Sequence, residues 1–116
     1  MNIFFKYNKN ETKFEEKIIE LKEYIEKNGN IYNIKILSKS TSKSKCDLYI
    51  ILSDKKDEIY KYLDKLEDKE KILIITSNIT TSHILECVNI TNNVTYLGNK
   101  SEVILNRIKS INDKNK

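Results

Sequence analysis

The chain of 116 residues contains no proline, no tryptophan, two glycines, two cysteines and one histidine. Two glycines are too few for the glycine-rich loops of dinucleotide-binding and P-loop NTPase domains, so both classes of site are excluded. Cys46 and Cys87 form no CxxC pair, and the chain has one histidine. These are too few ligands for a standard zinc site, which is therefore excluded. No apolar run approaches the roughly 18 residues of a membrane helix, and no signal peptide is recognisable.

The charged residues are numerous and mixed in sign. Lysine and arginine together number 21, aspartate and glutamate 17, and the formal net charge is +4. The two signs interleave, as in Glu15–Lys17 and Lys55–Glu58, whereas a nucleic-acid domain usually shows a concentrated basic stripe. The low-complexity stretch Lys39–Lys45 is interpreted as a solvated loop rather than a phosphate contact. We therefore expect a cytoplasmic protein with buried free thiols, no membrane association and no direct nucleic-acid binding.

Apolar runs and apolar periodicity alternate along the chain and predict five strands and four helices. The predicted strands are Met1–Tyr7, Ile31–Ser38, Asp47–Leu52, Ile72–Ile75 and Val94–Leu97, and the predicted helices are Glu11–Asn28, Lys55–Glu67, Thr81–Asn89 and Ser101–Ile111. Such alternation indicates one α/β domain, residues 1–112, built on a doubly wound and mainly parallel sheet, followed by a polar tail, 113–116.

The apolar spacing also predicts which side of each helix faces the core. The first helix has a stripe at Phe14, Ile18, Leu21 and Ile25, and the last has one at Ile104, Ile108 and Ile111. In the third helix we expect three residues to face inward, Ile84, Leu85 and Val88. His83, at the start of that helix, is interpreted as a surface or capping residue.

One connection is too short for the predicted topology. About seven residues join the second and third strands, whereas a parallel crossover needs about a dozen or more. Either this crossover has lost its helix, or the two strands form an antiparallel hairpin. We favour the lost helix.

The two last strands end in motifs with a known counterpart. Thr76-Ser77 follows the predicted fourth strand. Tyr96 lies in the predicted fifth strand, four residues before Lys100. Together with the order of elements, these motifs resemble the receiver domain of bacterial response regulators. That family has Thr or Ser at the end of the fourth strand. Its fifth strand carries a switch aromatic residue three positions before a lysine. Ser101 stands where the family has proline. The resemblance covers most of the chain as topology and implies a flavodoxin-like sheet of strand order 2-1-3-4-5.

The chain departs from that family where phosphorylation takes place. The acidic pair that holds Mg²⁺ after the first strand is replaced by Tyr7 and Asn8, although Mg²⁺ binds through carboxylate oxygens. Asp54 is a weak candidate phosphoacceptor if the register slips, but a helix N-cap is the favoured interpretation. The resemblance therefore implies a pseudo-receiver, with no catalytic residue, metal or cofactor, that is not phosphorylated in the ordinary way.

We expect a non-catalytic regulatory module for signal transduction, with transcription regulation as its setting. By resemblance it would bind a protein partner or a second copy through its last two strand–helix units, with contacts from Tyr96, Lys100, Ile84 and Arg107. The alternative is a small flavodoxin-like domain that binds a phosphorylated ligand or nucleotide at the carboxyl edge of the sheet. The residues at that edge are Asn8, Lys9, Ser53, Thr76, Ser77 and Lys100.

Overall fold

The computed structural model describes residues 2–28, 32–37, 47–63 and 71–114. The strands are β1 (Asn2–Tyr7), β2 (Asn33–Leu37), β3 (Leu48–Leu52), β4 (Ile72–Thr76) and β5 (Val94–Tyr96). The helices are α1 (Thr12–Asn28), α2 (Lys56–Leu63), α3 (Thr81–Ile90) and α4 (Ser101–Lys114).

The strands form one sheet of order β2-β1-β3-β4-β5, and every pairing is parallel. The predicted flavodoxin-like α/β topology is confirmed. Because β2 and β3 lie on opposite sides of β1 and run parallel to it, the hairpin alternative is wrong. The crossover between them, including Lys39–Lys45 and Cys46, lies outside the described residues.

The central strands are buried on both sides, which explains their unbroken apolar sequences. Every residue of β3 and β4 is buried. Alternate side chains of β3 enter different cores: Ile50 packs on the face covered by α1 and α4, and Ile51 on the face covered by α2 and α3. The stripes predicted for the first and last helices are confirmed, since all seven residues belong to the first of these cores.

The inward side of α3 differs from the prediction. His83, Cys87 and Ile90 are buried, whereas Leu85 and Val88 are 59% and 43% exposed. The expectation that Leu85 and Val88 face inward is therefore wrong, and so is the surface assignment of His83. The physical reason is that the His83 ring finds a hydrogen-bond partner on β4, so it can enter the interior. Cys87 is a buried free thiol, as predicted.

Two helix boundaries also differ from the sequence interpretation. The last helix runs through Lys114, so part of the predicted polar tail is helical. The second helix begins at Lys56, and the Asp54 carboxylate bonds to Thr76 and Ser77 at the end of β4 instead of capping this helix. Among the described residues, no helix has the length and apolar character needed to cross a membrane.

Candidate functional site

The parallel register of β3 and β4 creates a polar cluster at the carboxyl edge of the sheet. Leu52 pairs with Ile75, so the residues that follow each strand leave the sheet side by side. Asp54 lies two residues beyond Leu52, and Ser77 lies two residues beyond Ile75, so Asp54 and Ser77 lie side by side. Ligands of open α/β sheets bind outside this edge, which makes the cluster the first candidate site.

The Asp54 carboxylate accepts five hydrogen bonds. Its Oδ1 accepts from the Thr76 hydroxyl at 2.8 Å and from the backbone N–H groups of Ser77 at 2.6 Å and Asn78 at 3.1 Å. Its Oδ2 accepts from the Lys13 ammonium at 2.5 Å and from the Ser77 hydroxyl. An ionised carboxylate offers about four lone-pair sites, so these donors fill its capacity.

These contacts keep Asp54 ionised. Burial alone would raise its pKa, but the bonds from Lys13, Ser77 and Thr76 outweigh burial and hold the pKa of Asp54 well below its usual range. The same pair raises the pKa of Lys13, chiefly through its bond to Asp54. At neutral pH the cluster is therefore an ion pair, in which the ammonium of Lys13 supplies the positive charge.

A second chain of contacts leads from Asp54 into the core. The Thr76 hydroxyl lies 3.0 Å from Nε2 of His83. Since a hydroxyl has one proton and Thr76 donates it to Asp54, Thr76 must accept from His83, and we assign the proton of the ring to Nε2 on this pattern.

Cys87 closes this chain of contacts one helical turn further along α3. Its Sγ lies 3.5 Å from the same nitrogen of His83. Burial raises the pKa of Cys87, and the negative charges of Asp54 and Glu86 raise it further. The thiol is therefore held protonated, which disfavours a reactive thiolate. No group of three or more His, Cys, Asp or Glu side chains is placed to hold a metal ion in the part of the chain that the structure describes.

Asn8 and Lys9 lie in a separate groove of about 420 Å³ between β1 and α2. Glu58 organises this side, because its two oxygens accept from Ser53 Oγ at 2.7 Å and from Asn8 Nδ2 at 3.3 Å. The same groove is bordered by Tyr62.

Tyr62 also contacts Lys6, a buried residue of β1. The Lys6 ammonium lies 5.2 Å from the centre of the Tyr62 ring, a cation–π contact. Burial first, then the charge of Lys61, lowers the pKa of Lys6. Burial first, then the charge of Glu58, raises the pKa of Tyr62 to about 12. Both groups thus have their charged forms disfavoured by burial.

The other residues of the predicted ligand edge lie elsewhere. Ser77 lines a groove of about 330 Å³ with Lys13 and Tyr96, and Lys100 lines another of about 390 Å³ with Tyr24. Ser53 and Thr76 are fully buried. The structure therefore joins Thr76 and Ser77 through Asp54, but it does not gather all six predicted ligand residues into one cleft.

The residues predicted for a protein contact surround β5. Tyr96 is 45% exposed and its ring lies over Gly98, while Lys100 is exposed just before α4. Arg107, on α4, donates to the carbonyl oxygen of Asn92 at 2.9 Å. Ile84 is half-buried.

Sequence reasoning missed three residues of the edge: Lys13, Glu58 and the inward-facing His83. Nothing in the spacing of Lys13 or Glu58 marks them, because their partners are remote in the chain. His83 carried a signal that was available, since it shares a helix face with Cys87 and Ile90 at intervals of four and three residues.

Comparison with known proteins supports the fold alone. No family model matches the sequence, and curated proteins give no match. Among solved structures, the chain is similar to one titled as the yeast Spc42 trimeric coiled-coil, amino acids 181–211, fused to another structure. The TM-score is 0.66 at 8% sequence identity, over 97% of this chain and 82% of that chain. At this identity the likeness carries no functional argument.

Proposed function

We propose that the chain is a non-catalytic, receiver-like signalling module that acts through protein–protein contact and independently of aspartate phosphorylation. Transcription regulation is the setting that the receiver resemblance suggests. The observation that carries the proposal is a set of exposed apolar side chains on the edge strand β5 and on the helices that precede and follow it, α3 and α4. We call this the contact face, formed by Leu85, Val88, Tyr96 and Val103.

The placement of these four residues supports a docking role. Their exposed fractions are 59%, 43%, 45% and 50%, in chain order. Single exposed apolar residues are ordinary, but these lie on the edge strand β5 and on the two helices next to it in the chain, α3 and α4. In the described residues β5 pairs only with β4. Exposed aromatic and arginine side chains, here Tyr96 and Arg107, are enriched at protein interfaces.

The Asp54 cluster supports independence from phosphorylation. A phosphoacceptor needs a free carboxylate oxygen and a neighbouring metal ion, but both oxygens of Asp54 accept hydrogen bonds. The ammonium of Lys13 pairs with Oδ2 of Asp54 at 2.5 Å, so a cation of the chain itself neutralises this carboxylate. Asp54 therefore serves as a structural acceptor under this proposal.

Sedimentation velocity across the micromolar range tests the contact role, with the full chain and two variants of the contact face. We expect wild-type self-association, weakened about tenfold or more by Tyr96→Ala and by Leu85→Ser, as for central interface residues. Tyr60→Ala is the matched control, because Tyr60 is an aromatic residue of similar exposure, 48%, on α2, an element that contributes no residue to the contact face. Association unchanged by both face variants would contradict the assignment, and a wild-type monomer would contradict the homodimer form of the proposal.

A second experiment tests independence from phosphorylation. The protein is incubated with Mg²⁺ and beryllofluoride, and amide NMR shifts are followed. We expect no concerted change at Ser53, Asp54, Thr76 or Lys100. A clustered, saturable change at these residues would mean that Asp54 still accepts a phosphoryl group.

A further inference from the structure

The hydrogen bonds between β4 and β5 show which way the backbone of each β5 residue points. The Ile74 N–H donates to Asn93 O at 2.9 Å, and the Leu97 N–H donates to Thr76 O at 2.8 Å. Because the backbone groups of successive strand residues point to alternate sides, the odd-numbered residues of this segment direct their N–H and C=O groups toward β4. The even-numbered residues direct theirs away from the sheet.

The outward backbone groups of β5 lie at an open edge. Among the described strands, β5 pairs only with β4. No described residue bonds to the N–H or C=O of Val94 or to the N–H of Tyr96, while Tyr96 O accepts from the Asn99 N–H at 3.1 Å. Natural sheet edges are often protected by charged residues or proline, but β5 consists of Val94, Thr95 and Tyr96. Its backbone can therefore pair with another strand.

An exposed valine of α4 lies beside this edge on one face of the sheet. The core under α4 and the core under α3 are on opposite faces of the sheet. Arg107 of α4 donates to Asn92 O at 2.9 Å, so this side of α4 faces the edge. Val103, one helical turn before Arg107, shares that side and is 50% exposed.

An exposed valine of α3 lies beside the edge on the other face. Glu86 pairs with Lys56 of α2 at 3.6 Å, so this side of α3 faces α2. Val88 comes two residues later, about 200° around the helix, and therefore lies on the side away from α2. The helix α3 contacts both α2 and β5, and the strand order places β5 on that second side. Val88 is 43% exposed, so apolar surface flanks the edge on both faces.

We propose that a second copy of the chain adds its own β5 to this edge, antiparallel to the first and related by a two-fold axis at Val94. In such a pair one residue faces itself, and the two copies exchange two N–H to O=C hydrogen bonds. Val94 has both groups that this exchange needs, and both point outward. The inference rests on the proposed protein contact and gives its partner and its geometry.

The level of Val103 along the edge agrees with this axis. Four residues separate β5 from α4, and Arg107 reaches back to Asn92, so α4 runs opposite to β5. Val103 lies four residues before Arg107, about 6 Å along the helix. Val94 lies two residues after Asn92, about 7 Å along the strand. Val103 is therefore level with Val94.

This placement favours a second copy over a different chain as the partner. A two-fold axis perpendicular to the sheet keeps the same face upward in both copies, so α4 meets α4 and α3 meets α3. Val103 then lies next to Val103 of the other copy, close to the axis, and each covers the other from water. The edge is thus complementary to itself in its hydrogen bonds and in its apolar surface.

Amide hydrogen exchange, followed by NMR at protein concentrations below and above the midpoint of self-association, tests the strand pairing. We expect the Val94 N–H to exchange about tenfold more slowly in the dimer, because it gains an acceptor there. The Thr95 N–H faces β4 and is the internal control, with slow exchange at both concentrations. A dimer in which Val94 gains no protection would overturn the pairing but leave the proposed contact standing. A wild-type monomer at all concentrations would overturn both.

Opposite charges at position 103 test the two-fold axis by sedimentation. Val103→Lys and Val103→Glu each bring like charges together in a homodimer, and we expect each to weaken association about tenfold or more. An equimolar mixture brings opposite charges together and should associate more tightly than either variant alone. Both substitutions change an exposed side chain, so the fold is expected to remain intact.

The matched controls are Ile19→Lys and Ile19→Glu, at a position of α1 that is 52% exposed. We expect them to associate like the wild-type protein, both alone and mixed. Single Val103 variants that associate normally, or a mixture no tighter than its components, would overturn the axis at Val94.

Discussion

The Asp54 cluster and the contact face differ in how their chemical groups are paired. In the cluster, Asp54 accepts five hydrogen bonds and Thr76 both donates and accepts. On the contact face, the large apolar side chains of Leu85 and Tyr96 remain in solvent. Polar groups that hydrogen-bond to one another stabilise the folded chain. Apolar surface left in water instead favours association, because covering it with a partner lowers the free energy. We therefore expect mutations in the two regions to affect different measurements.

Removing the negative charge of Asp54 should cause the largest change in stability among these predictions. Asp54→Asn exchanges one acceptor oxygen for an NH₂ donor that meets the Lys13 ammonium or the donors of Ser77. We expect a loss of about 2–3 kcal/mol in the free energy of unfolding, because donors are left unpaired in a mostly buried site. Urea denaturation measures it.

Asp57→Asn is the matched control for that experiment. Asp57 is exposed in the first turn of α2 and makes only a helix-end contribution, for which we expect a loss of about 0.5 kcal/mol or less. Association through the contact face should stay at the wild-type level in both variants. Equal destabilisation by the two substitutions would contradict the structural role of Asp54.

Acid should lower the free energy of unfolding by protonating Asp54, and the substitution Asp54→Asn should abolish this contribution. The pKa of Asp54 is depressed in the folded protein, so its contribution is complete above the unfolded pKa of 3.8 and is lost as the pH falls below it. At pH 3 the loss relative to pH 7 should be about 1 kcal/mol from this group. Denaturation curves between pH 7 and pH 3 measure it, and the loss should be smaller by that amount in Asp54→Asn. Parallel pH profiles for the two proteins would contradict the assignment.

The sheet could be predicted from the sequence because its strands are contiguous apolar runs, as in Leu48–Leu52 and Ile72–Thr76. Such runs are buried whatever their neighbours, so their order along the chain indicates an α/β fold. The orientation of α3 could not be predicted in this way. Its apolar residues suggest one inward face, but the bond between His83 and Thr76 stabilises a different one.

The Asp54 cluster could be predicted only in part. Thr76 and Ser77 were located because they follow a buried strand, and Asp54 because it follows the adjacent one. Its favoured role as a helix cap was wrong, because the hydrogen bonds depend on the register between β3 and β4. Lys13 could not be found at all, since it reaches Asp54 from the start of α1 and no local pattern distinguishes it from other exposed lysines.

The smallest expected change in stability comes from Gly98, which shapes the contact face. A Cβ atom added at Gly98 would lie 2.3 Å from Cε2 of the Tyr96 ring, so Gly98→Ala must displace that ring. Gly98 has no positive φ, so the backbone accepts alanine. The stabilisation from a less flexible unfolded chain, about 0.4–1 kcal/mol, is offset by the lost ring contact, and we expect a net change near zero.

Gly98→Ala should change self-association even though it leaves the free energy of unfolding nearly unchanged. We expect Gly98→Ala to change the NMR shifts of the Tyr96 ring protons and to weaken self-association measured by sedimentation. Because the effect passes through Tyr96, Gly98→Ala should have no further effect on association when Tyr96 is already alanine, which a double-mutant cycle tests directly. Additive losses from the two substitutions would mean that Gly98 acts on the contact face by another route, and unchanged ring shifts would mean that the ring does not lie over Gly98 in solution.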